Sequence, residues 1–297
     1  VTDWFTINAG ARYESFDREV KAGSELVEAA PGDEARRVEN DVLPAAGLVF
    51  EVADEMYVRT NYGGTVARPQ INEFAPFVTQ DYIRRRTISG NPDIDRTFVH
   101  NLDLRWEWFP SATEVVAATA FYKGFQNPIE RVVQDPNGQL IVYENAEGAT
   151  SFGGEVEARM SLGRITDPLD DFTLAGNFTL VRSEIRLACT PREDDPALCQ
   201  ETYTNAERPM AGQSPFVVNL SLGWEPDFGL SIFAFYNVFG ERIDDVGTLG
   251  RPDTYEQPQH LLDFAIGYAF NEHWSLRARA RNVLQDDREF TMNGRFV

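Results

Sequence analysis

No stretch of this chain approaches the roughly 18 to 20 consecutive apolar residues that a membrane-crossing helix needs. Val1 opens straight into an alternating pattern, with no signal-peptide profile ahead of it. Basic residues are scarce: 27 Lys and Arg stand against 47 Asp and Glu, a formal charge of -20. That deficit argues against a nucleic-acid partner, because phosphate contacts need a basic stripe. The three histidines, His100, His260 and His273, are scattered without metal-ligand spacing, so neither a metal site nor a cofactor is expected. Only two cysteines occur, Cys189 and Cys199, both in the polar stretch CTPREDDPALC. A loop disulfide between them points to an oxidising compartment such as the periplasm or the cell exterior; two unrelated free thiols are the other reading.

What the chain does have is alternation. In NLDLRWEWFP, Leu102, Leu104, Trp106 and Trp108 alternate with Asn101, Asp103, Arg105 and Glu107, a period of two that only a strand sorts onto separate faces. Pro110 marks a tight turn, after which the chain returns through Val115, Ala117, Thr119 and Phe121. Two tryptophans and a phenylalanine end the apolar row, where a transmembrane barrel places its aromatic girdle. The same unit recurs. Phe5, Ile7, Ala9, Ala11 and Tyr13 oppose Thr6, Asn8, Arg12 and Glu14; Met56, Val58, Thr60 and Tyr62 oppose Tyr57, Arg59 and Asn61. Phe152, Val156, Ala158, Met160 and Leu162 oppose Glu155, Glu157, Arg159 and Ser161, a weaker strand covers 43–52, and later strands follow at 171–183, 215–225, 230–239, 261–270 and 274–283.

The connections alternate as well. Short ones, of about 2 to 8 residues, fall near 53, 109, 163, 226 and 271, and long ones, of about 20 to 30, begin near 17, 67, 124, 184 and 240. The stretches 17–41 and 67–97 read as polar loops, and residues 129–134 and 140–145 as a small hairpin inside the third long loop. Soluble sandwiches seldom make every second connection this long. The expected fold is therefore all-β: an antiparallel transmembrane β-barrel with long extracellular loops and short periplasmic turns.

Against this pattern, TVARPQINEFAPF, SGNPDI, NLDLRWEWFP, AFYKGFQNPIE, NAEGATSFGGEVEARMSL, ERPMAGQSPFVVNLSLGW, YNVFGERIDDVG, YEQPQHLLDFAIGYAF and HWSLRARARNVLQD resemble the C-terminal half of a TonB-dependent outer-membrane receptor. The resemblance implies a barrel of about 22 strands around a folded plug. Residues 1–297 would supply about eleven of them, with the plug and the N-terminal strands absent and 289–297 leading toward the last strand. It also implies the outer membrane of a Gram-negative bacterium and energised uptake of a scarce nutrient: an iron chelate such as a ferric siderophore, vitamin B12 or an oligosaccharide. The implied partners are the TonB complex, reached through the plug, outer-membrane lipid and lipopolysaccharide, and a small-molecule ligand. No enzymatic activity is implied.

The ligand-binding candidates lie in the loop 67–97, where Phe74, Phe77 and Tyr82 precede Arg84, Arg85 and Arg86: cations for an anionic chelate, rings for its planar groups. Pairing of these arginines with acidic neighbours or with lipopolysaccharide phosphates is the other reading. Arg105, Glu107, Glu155, Glu157, Arg159, Arg277, Arg279 and Arg281 should line the lumen, as plug contacts or as a solvated wall. Glu155 and Glu157 resemble an acid–base pair, but every such strand offers pairs of this kind, and no catalytic residue is assigned. The motifs at Asn177 and Asn219 fit the glycosylation pattern yet fall inside strands, and are read as chance. A passive porin and a soluble all-β binding domain are the alternatives; the second would leave Trp106, Trp108, Phe216 and Trp224 exposed to water.

Overall fold

The structure, a computed structural model, describes residues 4–21, 34–82, 85–133, 140–186, 205, 208–247 and 250–296. β1 (Phe5–Lys21), β2 (Glu34–Ala53) and β3 (Met56–Ala67) are followed by a one-turn helix, α1 (Ile71–Phe74), and by β4 (Val78–Asp81) and β5 (Arg86–Ser89). Next come β6 (Thr97–Ser111), β7 (Glu114–Gln126), β8 (Ile129–Val133), β9 (Leu140–Asn145) and β10 (Gly148–Ser161). The chain continues through β11 (Phe172–Arg186), β12 (Phe216–Trp224), β13 (Leu230–Phe239), β14 (Arg242–Asp245) and β15 (Thr254–Glu256). It ends with β16 (His260–Ala269), β17 (Ser275–Ala280), β18 (Phe290–Met292) and β19 (Arg295–Phe296).

Eleven strands form one sheet, in the order β1-β2-β3-β6-β7-β10-β11-β12-β13-β16-β17, every neighbouring pair antiparallel. These are the strands that the alternation predicts. The short connections are tight, as at Asp54-Glu55, where Glu55 takes a left-handed φ of 56°. Register then aligns the apolar rows from strand to strand. Tyr62, Leu102, Tyr122 and Phe152 stand side by side, and so do Val58, Trp106, Ala118, Val156, Phe178, Val218 and Val238. A water-soluble protein would cover this face. Here Leu104 is 54% exposed and Val156 56%, while Glu107 on the opposite face is buried. The inversion fits a sheet whose apolar side meets lipid. No helix among the described residues is long and apolar enough to cross a membrane.

Three expectations are corrected. The return strand β7 presents the other row: Val116, Ala118, Ala120 and Tyr122 lie beside Trp108, Trp106, Leu104 and Leu102, whereas Ala117 and Thr119 oppose Glu107 and Arg105. An irregularity in register between Trp108 and Ser111 moves the pairing by one position, and such a slip exchanges the faces of the whole strand. Residues 17–21 and 34–41, expected as loop, are paired strand, because Asp17, Arg36, Lys21 and Glu34 form ion pairs across β1 and β2. The long loops also carry sheets of their own, β4-β5-β9-β8 and β14-β15-β18-β19, joined by a parallel bridge between Val132 and Val246. Of the small hairpin in the third loop, β8 and β9 pair as expected.

The buried apolar residues collect at this loop end. Ala35, Phe74, Ile94 and Tyr143 form one cluster with Val20, Ile88 and Ile129 against it, and Ala146, Ala149 and Ile185 form another with Phe125 and Met210. Residues 289–297, expected to lead toward a last strand, contribute β18, which pairs with β15 in the second loop sheet.

Candidate functional site

The polar face of the sheet is a wall of linked side chains. Arg59 and Arg105 stand directly opposite one another on β3 and β6, a like-charge pairing that needs a carboxylate to neutralise it. Glu107 supplies it: Arg59 donates from Nε to Glu107 Oε1 at 2.6 Å, and Arg105 Nε lies 3.4 Å from the same oxygen. Arg105 also reaches Glu157 Oε2 at 3.0 Å and Thr119 Oγ1 at 3.1 Å. Beyond Glu155 the wall continues as amides. Asn177 Nδ2 donates to Glu155 Oε1 at 3.0 Å, Asn219 to Asn177 at 2.8 Å and Asn237 to Asn219 at 2.7 Å. The three asparagines face each other in one row across β11, β12 and β13. Sequence reasoning missed this row, although the shared parity of the positions within their strands was a signal for it.

Arg159, Arg277, Arg279 and Arg281 share the polar face. Arg159, Arg279 and Arg281 line a hollow of about 630 Å³ together with Ser221, Phe235 and Asp263. Phe233 and Phe235 stack beside it at 6.0 Å between ring centres. The wall thus has an interlocked half, around Glu107, and a half whose guanidiniums have no carboxylate partner among the described residues.

The loop end is held by buried ion pairs from distant segments. Arg208 donates to Glu130, and both are buried. Asp245 receives Arg86 and, at 2.9 Å, Arg131, so residues of three long loops meet on one carboxylate. Arg68 reaches Glu14 and Asp41 at 2.6 Å each, and Arg96 donates to Asp41 at 2.7 Å. Glu256, buried between Arg242 and Arg288, accepts from each Nε at 2.7 Å. Burial pushes its carboxyl up, but the two guanidiniums outweigh burial and hold it below the ordinary value.

The ligand candidates separate accordingly. Tyr82 is 85% exposed and Phe77 lies at the surface, while Arg85 is exposed in a left-handed conformation with φ 52°. Arg86 is spent on Asp245. Phe74 is a core residue, 2% exposed, with the Arg37 guanidinium 5.9 Å from its ring centre. Its place among the ligand candidates is corrected: α1 turns its side chain inward, onto Ile94 and Tyr143. Arg84, Cys189 and Cys199 lie outside the described residues. Among the described residues no group of His, Cys, Asp or Glu side chains is arranged to hold a metal ion.

Residues 1–283 match the family described as TonB dependent receptor-like, beta-barrel. The iron-regulated outer membrane virulence protein of Vibrio cholerae is 23% identical over 236 residues, 76% of this chain and 33% of that protein. The ferric-catecholate import receptor Fiu of Escherichia coli K12 superposes with a TM-score of 0.65 at 16% identity, over 97% of this chain and 39% of the receptor. The copper transporter OprC gives 0.65 at 14% identity, over 99% and 42%. The chain therefore spans about a third of the length of its curated relatives and some two fifths of these solved receptors.

Proposed function

The chain belongs to the TonB-dependent receptor β-barrel family, an outer-membrane family of transporters rather than enzymes, and from that membership we propose that it is the C-terminal part of the barrel of an energised importer. In this reading eleven strands form one side of a barrel of about 22, closed by strands outside residues 1–297 around a plug that engages TonB. The cargo is a metal chelate of the ferric-siderophore type. The names of three similar proteins support a metal-related cargo, one being iron-regulated, one a ferric-catecholate import receptor and one a copper transporter, and the second of them favours a siderophore. Phe77, Tyr82, Arg84 and Arg85 are the loop residues proposed to meet it, and Phe74 and Arg86 hold that loop in place. Arg105, Glu107, Glu155, Glu157, Arg159, Arg277, Arg279 and Arg281 face the lumen and the plug.

The observation that carries the reading is the inverted sheet, apolar outside and charged inside, over eleven consecutive strands. Uptake of a labelled ferric siderophore by iron-starved cells carrying the full-length gene tests it, with carbon-limited cells as the comparison. The expected outcome is iron-responsive uptake that a proton uncoupler abolishes. Uncoupler-insensitive leakage of the chelate would make the protein a passive pore instead.

A further inference from the structure

On the polar face, two neighbouring rows of side chains bring the free guanidiniums and an aromatic pair together. One row runs Arg159, Ala175, Ser221, Phe235 and Asp263 across β10, β11, β12, β13 and β16. The next runs Thr173, Gly223, Phe233, Ala265 and Arg279, from β11 to β17 in the sheet. In both rows small residues lie between the large ones, so the wall is recessed there, and this recess is the hollow of about 630 Å³. Arg159 stands three strands from Phe235, about 14 Å, and Arg279 two strands from Phe233, about 10 Å.

A wall that met only water or charge would have no place for a stacked aromatic pair. Phe233 and Phe235 nonetheless lie 6.0 Å apart and 16° from parallel, and Phe235 is 44% exposed. Gly223 is what seats them, since a Cβ there would come within 2.8 Å of Phe233 Cε1. Arg159, Arg279 and Arg281 have no carboxylate partner among the described residues, in a chain whose formal charge is -20. Two carboxylates share the recess, Glu225 and Asp263, and Asp263 already accepts the Asn282 backbone N–H at 2.8 Å. The guanidiniums outnumber them, which leaves the recess with a net positive charge.

We propose that this recess binds a planar aromatic anion, with its ring against Phe233 and Phe235 and its charged group on Arg159, Arg279 or Arg281. Aromatic rings favour an offset or edge-on ring as neighbour, and guanidiniums take a carboxylate or a catecholate through paired, charge-assisted hydrogen bonds. The site is separate from the loop residues Phe77, Tyr82 and Arg85. Gly223 lies about 23 Å below Phe216, the upper end of β12. Two sources carry this chemistry: a free aromatic acid, and an aromatic ring held within a metal chelate. The recess rests on the barrel reading, and only its second source rests on the proposed cargo.

Binding is measured on purified full-length receptor in detergent, in a background of Tyr82→Ala, Arg84→Ala and Arg85→Ala that silences the loop candidates. Benzoate, cyclohexanecarboxylate, benzamide and ferric tris-catecholate are compared by equilibrium dialysis. Benzoate is expected to bind about tenfold more tightly than cyclohexanecarboxylate, which lacks the ring face, and than benzamide, which lacks the charge. Phe233→Leu/Phe235→Leu should erase the first preference and Arg279→Gln/Arg281→Gln the second. Gly223→Val, which displaces Phe233, should weaken benzoate with no change of charge. Folding of each variant is checked by its heat-modifiable migration on a gel. Competition between benzoate and the ferric complex assigns the recess to a chelate's ring as well as to a free acid; benzoate binding without such competition assigns it to the free acid. Equal binding of benzoate and its two analogues, or preferences that survive the substitutions, overturns the site. So does an absence of benzoate binding, the result expected if a plug segment occupies the recess. Uptake is not read in this experiment, so its failure leaves the importer reading standing, and uptake that ignores an uncoupler leaves the recess standing.

Discussion

The eleven-stranded sheet and the loop end that crowns it solve opposite solvent problems with the same residue types. In the sheet, leucine and valine point outward and stay exposed, while Arg59, Arg105, Glu107 and Glu157 face one another on the polar wall. At the loop end the order is the usual one for water: Phe74, Ile94 and Tyr143 are inside, and charges are buried only where they are paired, as in Glu130 with Arg208. One region is inside out relative to the other, and the boundary falls within single strands. β11, for example, has Phe178 half-exposed on the lipid side and Ile185 buried in the loop core. Burial by itself therefore does not identify stabilising residues in this molecule; the medium facing each row does.

The largest effect expected from breaking this contrast is at the loop end. Glu130→Ala leaves the Arg208 guanidinium buried without its counter-charge, a change that costs about 3 to 5 kcal/mol in comparable sites. Limited proteolysis of the full-length receptor should then cut the long loops while the sheet keeps its heat-modifiable migration. Replacing both partners, Glu130→Leu with Arg208→Met, should restore most of the protection, because an apolar pair of similar volume carries no desolvation cost. Unchanged proteolysis of the single variant would mean that the pair does not hold the loops.

A smaller effect, of about 2 to 4 kcal/mol, is expected for Val156→Arg on the lipid side of β10. The control lies on the neighbouring strand: Thr179→Arg falls on the polar wall opposite Glu155 and should change stability by no more than about 0.5 kcal/mol. Refolding into lipid vesicles across a urea series measures both. A larger loss for Thr179→Arg than for Val156→Arg would mean that the faces are assigned the wrong way round.

The same contrast explains what could be read from the sequence. The eleven strands were legible because lipid and lumen impose a strict period of two, plain in LDLRWEW and in FTLAGNFTL. The face of β7 was not, because VVAATAFY alternates between small apolar residues on both sides and a slip of one residue leaves its pattern unchanged. The loop sheets were hidden for another reason. Their contacts join segments far apart, 78 residues for Arg208 with Glu130 and 159 for Arg86 with Asp245, and no local period marks them. Phe74 misled for a related reason: an aromatic in a polar loop looks like a ligand contact until the partners that bury it, Ile94 and Tyr143, are brought in from the fold. Of the polar face, the charged positions were legible from strand parity but the asparagine row was not, and neither was the division of the loop arginines into one exposed, Arg85, and one spent, Arg86.

The smallest effect expected is a pH dependence confined to the second loop sheet. Glu256 is the point where β14, β15 and the segment carrying Arg288 meet, and its carboxyl is held below the ordinary value because Arg242 and Arg288 both donate to it despite its burial. A carboxylate that titrates lower when folded than when unfolded stabilises the fold above the unfolded value of about 4.3. That contribution is lost as pH falls from there through the folded value. Hydrogen exchange of the 254–256 amides, corrected for intrinsic rates, should therefore show less protection at pH 3 than at pH 6, with no matching change in the β11 amides of the membrane sheet. Glu256→Gln should flatten the difference, since a side chain that does not titrate cannot carry it. A pH-dependent loss that persists in the glutamine variant would mean that Glu256 does not carry it.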